Sequence, residues 1–70
     1  MKEIKISSEF IKLDQFLKWA EVSSTGGESK SLIIDGKIKV NNKVEFARGK
    51  KLREGDVIEV LGEQYKIVRE

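Results

Sequence analysis

The residues with the clearest chemical potential in this chain are lysines and arginines concentrated in one stretch. Between Glu28 and Arg53 there are eight basic and three acidic residues, a local charge of +5, whereas the remainder carries −3. The basic residues of this stretch are Lys30, Lys37, Lys39, Lys43, Arg48, Lys50, Lys51 and Arg53. Positive charge concentrated on a small fold attracts polyanions. The segregation of charge therefore predicts a binding surface for nucleic acid.

Catalytic chemistry has few candidates. The chain contains no histidine and no cysteine, the side chains that most often serve as general acid–base and thiolate nucleophile near neutral pH. No base partner is evident for the serines. Asp14 is expected to bond locally or pair with a lysine, and Asp56 to belong to a turn, so neither suggests a catalytic carboxylate pair. We therefore expect a protein without catalytic residues, cofactor or metal.

The length predicts one small domain spanning residues 1–70. A chain this short buries only about 60% of its unfolded surface, so its stability is marginal. No segment approaches the ~18 apolar residues that a membrane span requires. The first ten residues alternate charged and apolar side chains, which is not typical of a signal peptide. We expect a monomer in the cytoplasm, with no membrane association.

The elements that must position the cations begin with a strand and a helix. Residues Lys2–Ser7 alternate, which predicts a short strand. Residues Leu13–Glu21 have helical periodicity, and one buried face is expected to contain Leu13, Phe16, Leu17 and Ala20. Trp19 lies beyond the edge of this stripe. It could stack on a base, but partial burial in the core is the favoured interpretation.

A second helix is predicted to begin at Thr25. Thr25 and Glu28 have capping-box spacing, in which the hydroxyl accepts from the Glu28 amide and the carboxylate accepts from the Thr25 amide. Gly36 is expected to end this helix because glycine accepts a left-handed backbone. Gly26 and Gly27 fall in the first turn, where bare amides could receive a phosphate. The alternative is a tight interhelical turn without a ligand.

Two hairpins are predicted after the helices. Ile38 and Val40 on one side of Asn41-Asn42, and Val44 and Phe46 on the other, are expected to be the apolar positions of the first hairpin. Its lysines, at the alternate positions, are expected to face outward together: Lys37, Lys39 and Lys43. They form either a binding face, which we favour, or an ordinary solvated strand face.

The remainder is predicted to be a basic loop and a final hairpin. Ala47–Lys51 forms the irregular loop, Leu52 points inward, and a turn follows at Glu54-Gly55-Asp56. Strands at Val57–Leu61 and Gln64–Val68 are expected to join at Gly62-Glu63. The predicted order is β-α-α-β-β-β-β, an α+β domain.

The order and spacing of these pieces resemble the S4 RNA-binding domain, also called the alpha-L motif. The matching residues are Lys12-Leu13-Asp14, Thr25–Glu28, Gly36–Asn42 and Gly55-Asp56, within about residues 10–61. The chain is most similar to small stand-alone members, through Thr25–Lys30 (TGGESK) and Arg48–Leu52 (RGKKL). It departs from their pattern at three positions: Lys12 replaces arginine, Asn42 replaces glycine, and Ala47 replaces a basic residue.

The resemblance implies the alpha-L RNA-binding fold, with two short helices packed against a small, mainly antiparallel sheet. It also implies a non-catalytic protein that binds structured ribosomal or transfer RNA, with the ribosome as a partner and a role in ribosome assembly or translation. Together with the charge pattern it identifies these candidate RNA-binding residues: Lys12, Thr25, Gly26, Gly27, Lys30, Lys37, Lys39, Asn41, Lys43, Arg48, Lys50 and Lys51. Five of them, Lys12, Lys30, Lys39, Lys43 and Arg48, are expected to share one continuous positive surface.

The alternative hypothesis is a small protein-interaction adaptor that uses an exposed sheet edge. Salt distinguishes the two, because nucleic-acid binding weakens steeply as salt rises whereas a mainly apolar protein contact does not.

Overall fold

Two helices pack against one face of a five-stranded sheet in the computed structural model, which describes all residues 1–70. The helices are α1 (Leu13–Trp19) and α2 (Gly26–Ile34). The strands are β1 (Lys2–Ile6), β2 (Ile11–Lys12), β3 (Ile38–Val40), β4 (Lys43–Val44), β5 (Lys51–Leu52), β6 (Val57–Val60) and β7 (Glu63–Arg69). The main sheet has the order β1-β7-β6-β3-β4, and β2 pairs with β5 separately. Only the β1–β7 pairing is parallel, which confirms the α+β class.

The core lies between the helices and the sheet and contains twelve buried apolar residues. The strands contribute alternate residues, such as Ile58 and Val60 of β6, because successive side chains of a strand point to opposite faces. From α1, the ring of Phe16 meets Tyr65 edge to face, with ring centres 5.6 Å apart. The opposite face of the sheet carries no helix. Neither helix is long and apolar enough to cross a membrane.

Helix α1 ends at Trp19, two residues before the predicted end, because Glu21 adopts a left-handed backbone with φ 60°. The amides of Glu21 and Val22 then donate to the carbonyls of Lys18 and Leu17, the pattern that closes a helix in a Schellman motif. Trp19 is 65% exposed, so the expectation that it is partly buried in the core is wrong. The early end leaves this ring on the last turn, outside the buried stripe.

Helix α2 is capped as predicted at its start and end, with one difference. The Thr25 hydroxyl oxygen accepts from the Glu28 amide at 3.1 Å. The Glu28 carboxylate, however, accepts from the Ser24 hydroxyl at 2.6 Å rather than from the Thr25 amide, so the predicted reciprocal bond is wrong. Gly36 has φ +72°, and the following amide of Lys37 closes the helix on the Leu32 carbonyl.

The first hairpin turns at the predicted residues but orients its second strand differently. Asn41 and Asn42 have φ values of 51° and 70°, as a two-residue type I′ turn requires. This turn pairs Val40 with Lys43, so Val44 lies on the face away from the core. Val44 is 42% exposed and Phe46 63% exposed, so the apolar positions of the second strand do not join Ile38 and Val40 in the core.

The last hairpin is shifted by one residue from its prediction. Val60 pairs with Glu63, and the two turn residues are Leu61 and Gly62, both with positive φ, rather than Gly62-Glu63. The turn after the basic loop lies as expected, with Gly55 at φ +94° and the Asp56 amide donating to the Arg53 carbonyl.

The two-stranded sheet of β2 and β5 is absent from the sequence-based prediction. Each strand has only two residues, too few for a periodic signal. Its register places Ile11 opposite Leu52 and Lys12 opposite Lys51. Leu52 is fully buried, so this small sheet is anchored to the core through its inner face.

Candidate nucleic-acid interface

The small sheet and its flanking residues present a strongly basic outer face, which we call the basic ribbon (residues 10–12 and 51–53). Lys12 and Lys51 are direct cross-strand partners, so their side chains leave the ribbon on the same side. The Lys51 ammonium lies 4.8 Å from the centre of the Phe10 ring, and the Arg53 guanidinium lies 5.6 Å from it. Lys51 and Arg53 therefore both contact the Phe10 ring, and Lys12 lies opposite Lys51.

The loop before β5 is held against the start of α1. The Leu13 amide donates to the Lys50 carbonyl at 2.9 Å, and the Asp14 amide donates to the Arg48 carbonyl at 3.1 Å. The first amides of a helix have no partner within the helix, and here the loop carbonyls satisfy two of them. These two bonds place Arg48 and Lys50, whose side chains are exposed, at the N-terminus of α1, next to Lys12.

The ribbon places like charges opposite each other, an arrangement that costs folding free energy. Directly opposed like charges on a sheet are destabilising, and such cross-strand terms are worth roughly 0.2–1 kcal/mol. Each cation placed over the Phe10 ring recovers about 0.5–1 kcal/mol at an exposed site. An anion bound at this face would neutralise the remaining repulsion between Lys12 and Lys51.

The hairpin lysines do not share one face. Lys39 is the partner of Val44 on one side and of Glu59 on the other, and all three lie on the face of the sheet without helices. Lys43 is the partner of the buried Val40, so it leaves the edge strand on the side of the helices. The expectations that Lys37, Lys39 and Lys43 face outward together, and that Lys39, Lys43 and three other cations form one surface, are therefore wrong. The two-residue turn is the reason, because it pairs positions 40 and 43.

Asn41 is engaged in hydrogen bonds within the protein. Its side-chain nitrogen donates to Asp56 Oδ1 at 3.1 Å, and its side-chain oxygen accepts from the Val57 amide at 2.9 Å. The other carboxylate oxygen of Asp56 accepts from the Arg53 amide at 2.8 Å. Asn41 thus connects the first hairpin turn to the turn that follows the basic ribbon, which is a positioning role.

The start of α2 is open and is tied to α1. The amides of Gly26 and Gly27 donate to no protein group, and a Cβ on Gly26 would have nothing within 4 Å. The buried Ser29 hydroxyl contacts the Ser23 hydroxyl at 2.6 Å and the Asp14 carbonyl at 3.4 Å. The same Asp14 peptide region thus contacts both α2 and the Arg48 loop. Lys30, the next residue of α2, is exposed.

The structure therefore groups Lys12, Arg48, Lys50 and Lys51 of the predicted residues, and adds two that the sequence analysis did not select. Phe10 and Arg53 belong to the ribbon, and the alternation of Lys51 and Arg53 about a buried Leu52 was the available signal. Asp14 bonds locally as expected, since its carboxylate accepts from the Gln15 amide at 2.8 Å. No group of three or more acidic, histidine or cysteine side chains could hold a metal ion.

This fold, with a basic ribbon fixed to the start of the first helix, defines an alpha-L RNA-binding domain. The family model of the S4 domain matches residues 4–68, and the chain belongs to this family, which confirms the resemblance. A curated relative, the probable ribosome maturation protein RlbA of Bacillus subtilis (strain 168), is 42% identical over 59 residues, covering 84% of this chain and 83% of the relative.

A solved structure shares the fold. The solution structure of YbcJ from E. coli, described as revealing an alpha-L motif involved in RNA binding, superposes with a TM-score of 0.74 at 25% identity. The match covers 97% of this chain and 87% of YbcJ. The expected fold, two helices on a mainly antiparallel sheet, is therefore confirmed.

Proposed function

We propose that this protein binds structured RNA, with ribosomal RNA as its target, through phosphates held by the basic ribbon and the Arg48–Lys50 loop. The observation that carries the proposal is the pairing of Lys12 with Lys51, beside Arg53, on one face. Cations that contact phosphates position a protein on RNA without reading its sequence. The target is then recognised by its shape and backbone, which suits a folded RNA.

A role in ribosome maturation is the setting that we propose. The relative from Bacillus subtilis carries that name and aligns over most of both chains. We propose that the protein acts there as a non-catalytic, monomeric binding module in the cytoplasm. Transfer RNA is the other folded RNA that this surface could accept, and comparison of the two RNAs in direct competition distinguishes them.

The other predicted residues have secondary roles in this proposal. The open amides of Gly26 and Gly27, which follow the N-cap Thr25 and precede Lys30, offer a second phosphate position. Lys43, which leaves β4 on the helix side of the sheet, is a further candidate for a phosphate contact. Lys37 and Lys39 contribute less, because Lys39 faces Glu59. Asn41 acts by holding the turn that precedes β6.

The test compares two double variants that remove the same charge. Lys12→Ala/Lys51→Ala removes the opposed pair, whereas Lys5→Ala/Lys66→Ala removes two lysines of β1 and β7, which belong to the main sheet and not to the ribbon. Affinity for a ribosomal RNA stem-loop is measured at several salt concentrations. We expect the first variant to bind more weakly, with a log–log salt slope shallower by about 0.7–0.9 for each phosphate that is no longer neutralised, and the second to match wild type.

Equal behaviour of both variants would move the RNA site away from the ribbon. Binding to ribosomal particles that does not change with salt would favour the adaptor hypothesis, for which β1 offers an edge strand that pairs only with β7.

A further inference from the structure

The first hairpin leaves an aromatic ring in solvent. Phe46 is 63% exposed although it is one of only three phenylalanines in the chain. Its ring atoms Cε1 and Cζ lie 3.6 and 3.8 Å from the position that a Cβ on Gly36 would occupy, and Val44 Cγ1 lies 3.7 Å from the same position. One edge of the ring is therefore packed on the backbone of Gly36 and beside Val44, while the rest faces outward.

Two cations lie near the ring along the chain. Lys37 follows Gly36, and Arg48 lies two residues beyond Phe46; both are exposed. The segment that leads to Arg48 is ordered by the Ala47 amide, which donates to Glu45 Oε2 at 3.2 Å, and by the Lys50 amide, which donates to the Ala47 carbonyl at 3.1 Å. Phe46 is therefore the residue just before the ordered loop that contacts α1.

We propose that Phe46 stacks on an unpaired base of the bound RNA. This inference rests on the proposed function and adds a recognition element to it. Proteins recognise loops and bulges by stacking splayed bases on aromatic side chains, and cations beside the ring can hold the flanking phosphates. A paired stem offers no free base to Phe46. The protein therefore distinguishes an RNA stem with a bulge from a continuous stem, with little preference for the identity of the base.

The test uses two RNA probes, a hairpin with a single bulged adenosine in its stem and the same hairpin without the bulge, both closed by a polyethylene glycol linker in place of a nucleotide loop so that the second probe has no unpaired base. We expect Phe46→Ala to lower affinity for the bulged hairpin about 5- to 140-fold, the range of one base stack, and to leave affinity for the paired hairpin unchanged. The salt slope should not change, because the variant still neutralises the same phosphates. Phe46→Tyr keeps an aromatic ring and should retain binding.

Trp19 supplies the matched control. It is exposed to a similar degree, 65%, and lines an open hollow with Lys5, Ile6, Ile11 and Glu70 beside β1, whereas Phe46 follows β4 at the opposite edge of the main sheet. Trp19→Ala should leave affinity for both hairpins unchanged. Because most of the Phe46 side chain is solvent-exposed, Phe46→Ala should also melt near the wild-type temperature.

Three results would be decisive. If Phe46→Ala binds the bulged hairpin as tightly as wild type, or weakens both hairpins equally, the stacking proposal is wrong. If Trp19→Ala weakens the bulged hairpin as much as Phe46→Ala, the effect belongs to exposed aromatic surface in general and the proposal is again overturned. If wild type binds neither hairpin nor any ribosomal RNA stem-loop, the proposed function itself fails, which is a separate outcome.

Discussion

The basic ribbon and the β3–β4 hairpin draw their cations largely from the same charged stretch, yet they arrange them in opposite ways. In the ribbon, Lys12 faces Lys51, and Arg53 approaches the same aromatic ring. In the hairpin, Lys39 faces Glu59, and Lys43 leaves from the other side of the sheet. Cross-strand neighbours interact directly. The ribbon therefore keeps an uncompensated charge, whereas the outer face of the hairpin is partly neutralised.

The comparison shows that a count of charges along a chain does not locate an anion site. Both regions have basic residues at alternate positions, so the linear pattern favours each region equally as an anion-binding site. Strand register decides which region keeps a strong positive potential, because register determines whether a lysine lies opposite an acidic or a basic residue. The following variants test this difference between the two regions.

The largest effect is expected from Leu52→Ala. Leu52 is fully buried beneath the ribbon, and truncation of a buried leucine to alanine costs about 2–5 kcal/mol of unfolding free energy. Val44→Ala, on the exposed side of the hairpin, should cost less than about 1 kcal/mol. Chemical denaturation of both variants measures the difference. Similar losses of stability would show that the ribbon is not anchored through Leu52.

The next effect is on RNA binding. Arg48→Ala/Lys50→Ala/Lys51→Ala should remain folded, because these side chains are exposed, and its log–log salt slope should be shallower by about 2–2.7 if all three neutralise phosphates. Lys37→Ala/Lys39→Ala should change the slope by less per residue. Electrophoretic titration of a ribosomal RNA stem-loop at several salt concentrations provides both slopes. A larger change per residue in the hairpin variant would reverse the assignment of the two regions.

A smaller effect is expected at the junction between the regions. Asn41→Gly keeps a residue suited to positive φ but removes two side-chain hydrogen bonds. Such bonds contribute about 0.5–1.5 kcal/mol each, so the free energy of unfolding should fall by roughly 1–3 kcal/mol. Asn42→Gly is the control, since it changes the neighbouring turn residue, also at positive φ, and leaves both bonds of Asn41 in place. Equal stability of the two variants would contradict the positioning role of Asn41.

The smallest effects are expected from two charge reversals, which should change the free energy of unfolding in opposite directions. Lys12→Glu replaces a repulsive pair with an attractive one and adds a negative charge at the start of α1, so it should stabilise by about 0.3–1 kcal/mol. Lys39→Glu places two acids opposite each other and should destabilise by a similar amount. Melting temperatures at low salt are the measurement. Lys12→Glu should nevertheless weaken RNA binding, and a change of the same sign in both melting temperatures would contradict the comparison.

Short-range interactions in the chain dictate much of this structure. The Thr25 hydroxyl and Gly36 bound α2 because caps act over three or four residues. Asn41-Asn42 specifies a tight turn for the same reason. That turn also pairs residues 40 and 43, so the side of the sheet on which Lys43 lies was available in the sequence but was not inferred from it.

The strand pairing that assembles the basic ribbon depended on tertiary structure. Ile11 and Leu52 are paired although they are 41 residues apart in the chain. Strands of two residues are too short to show a periodic pattern, so the sequence does not predict their pairing. The sequence also did not predict that Glu59 is the cross-strand partner of Lys39, because the two residues become neighbours only when β6 pairs with β3. Residue types set the total charge and the local caps, but long-range strand register determined which cations oppose one another and hence which surface can hold an anion.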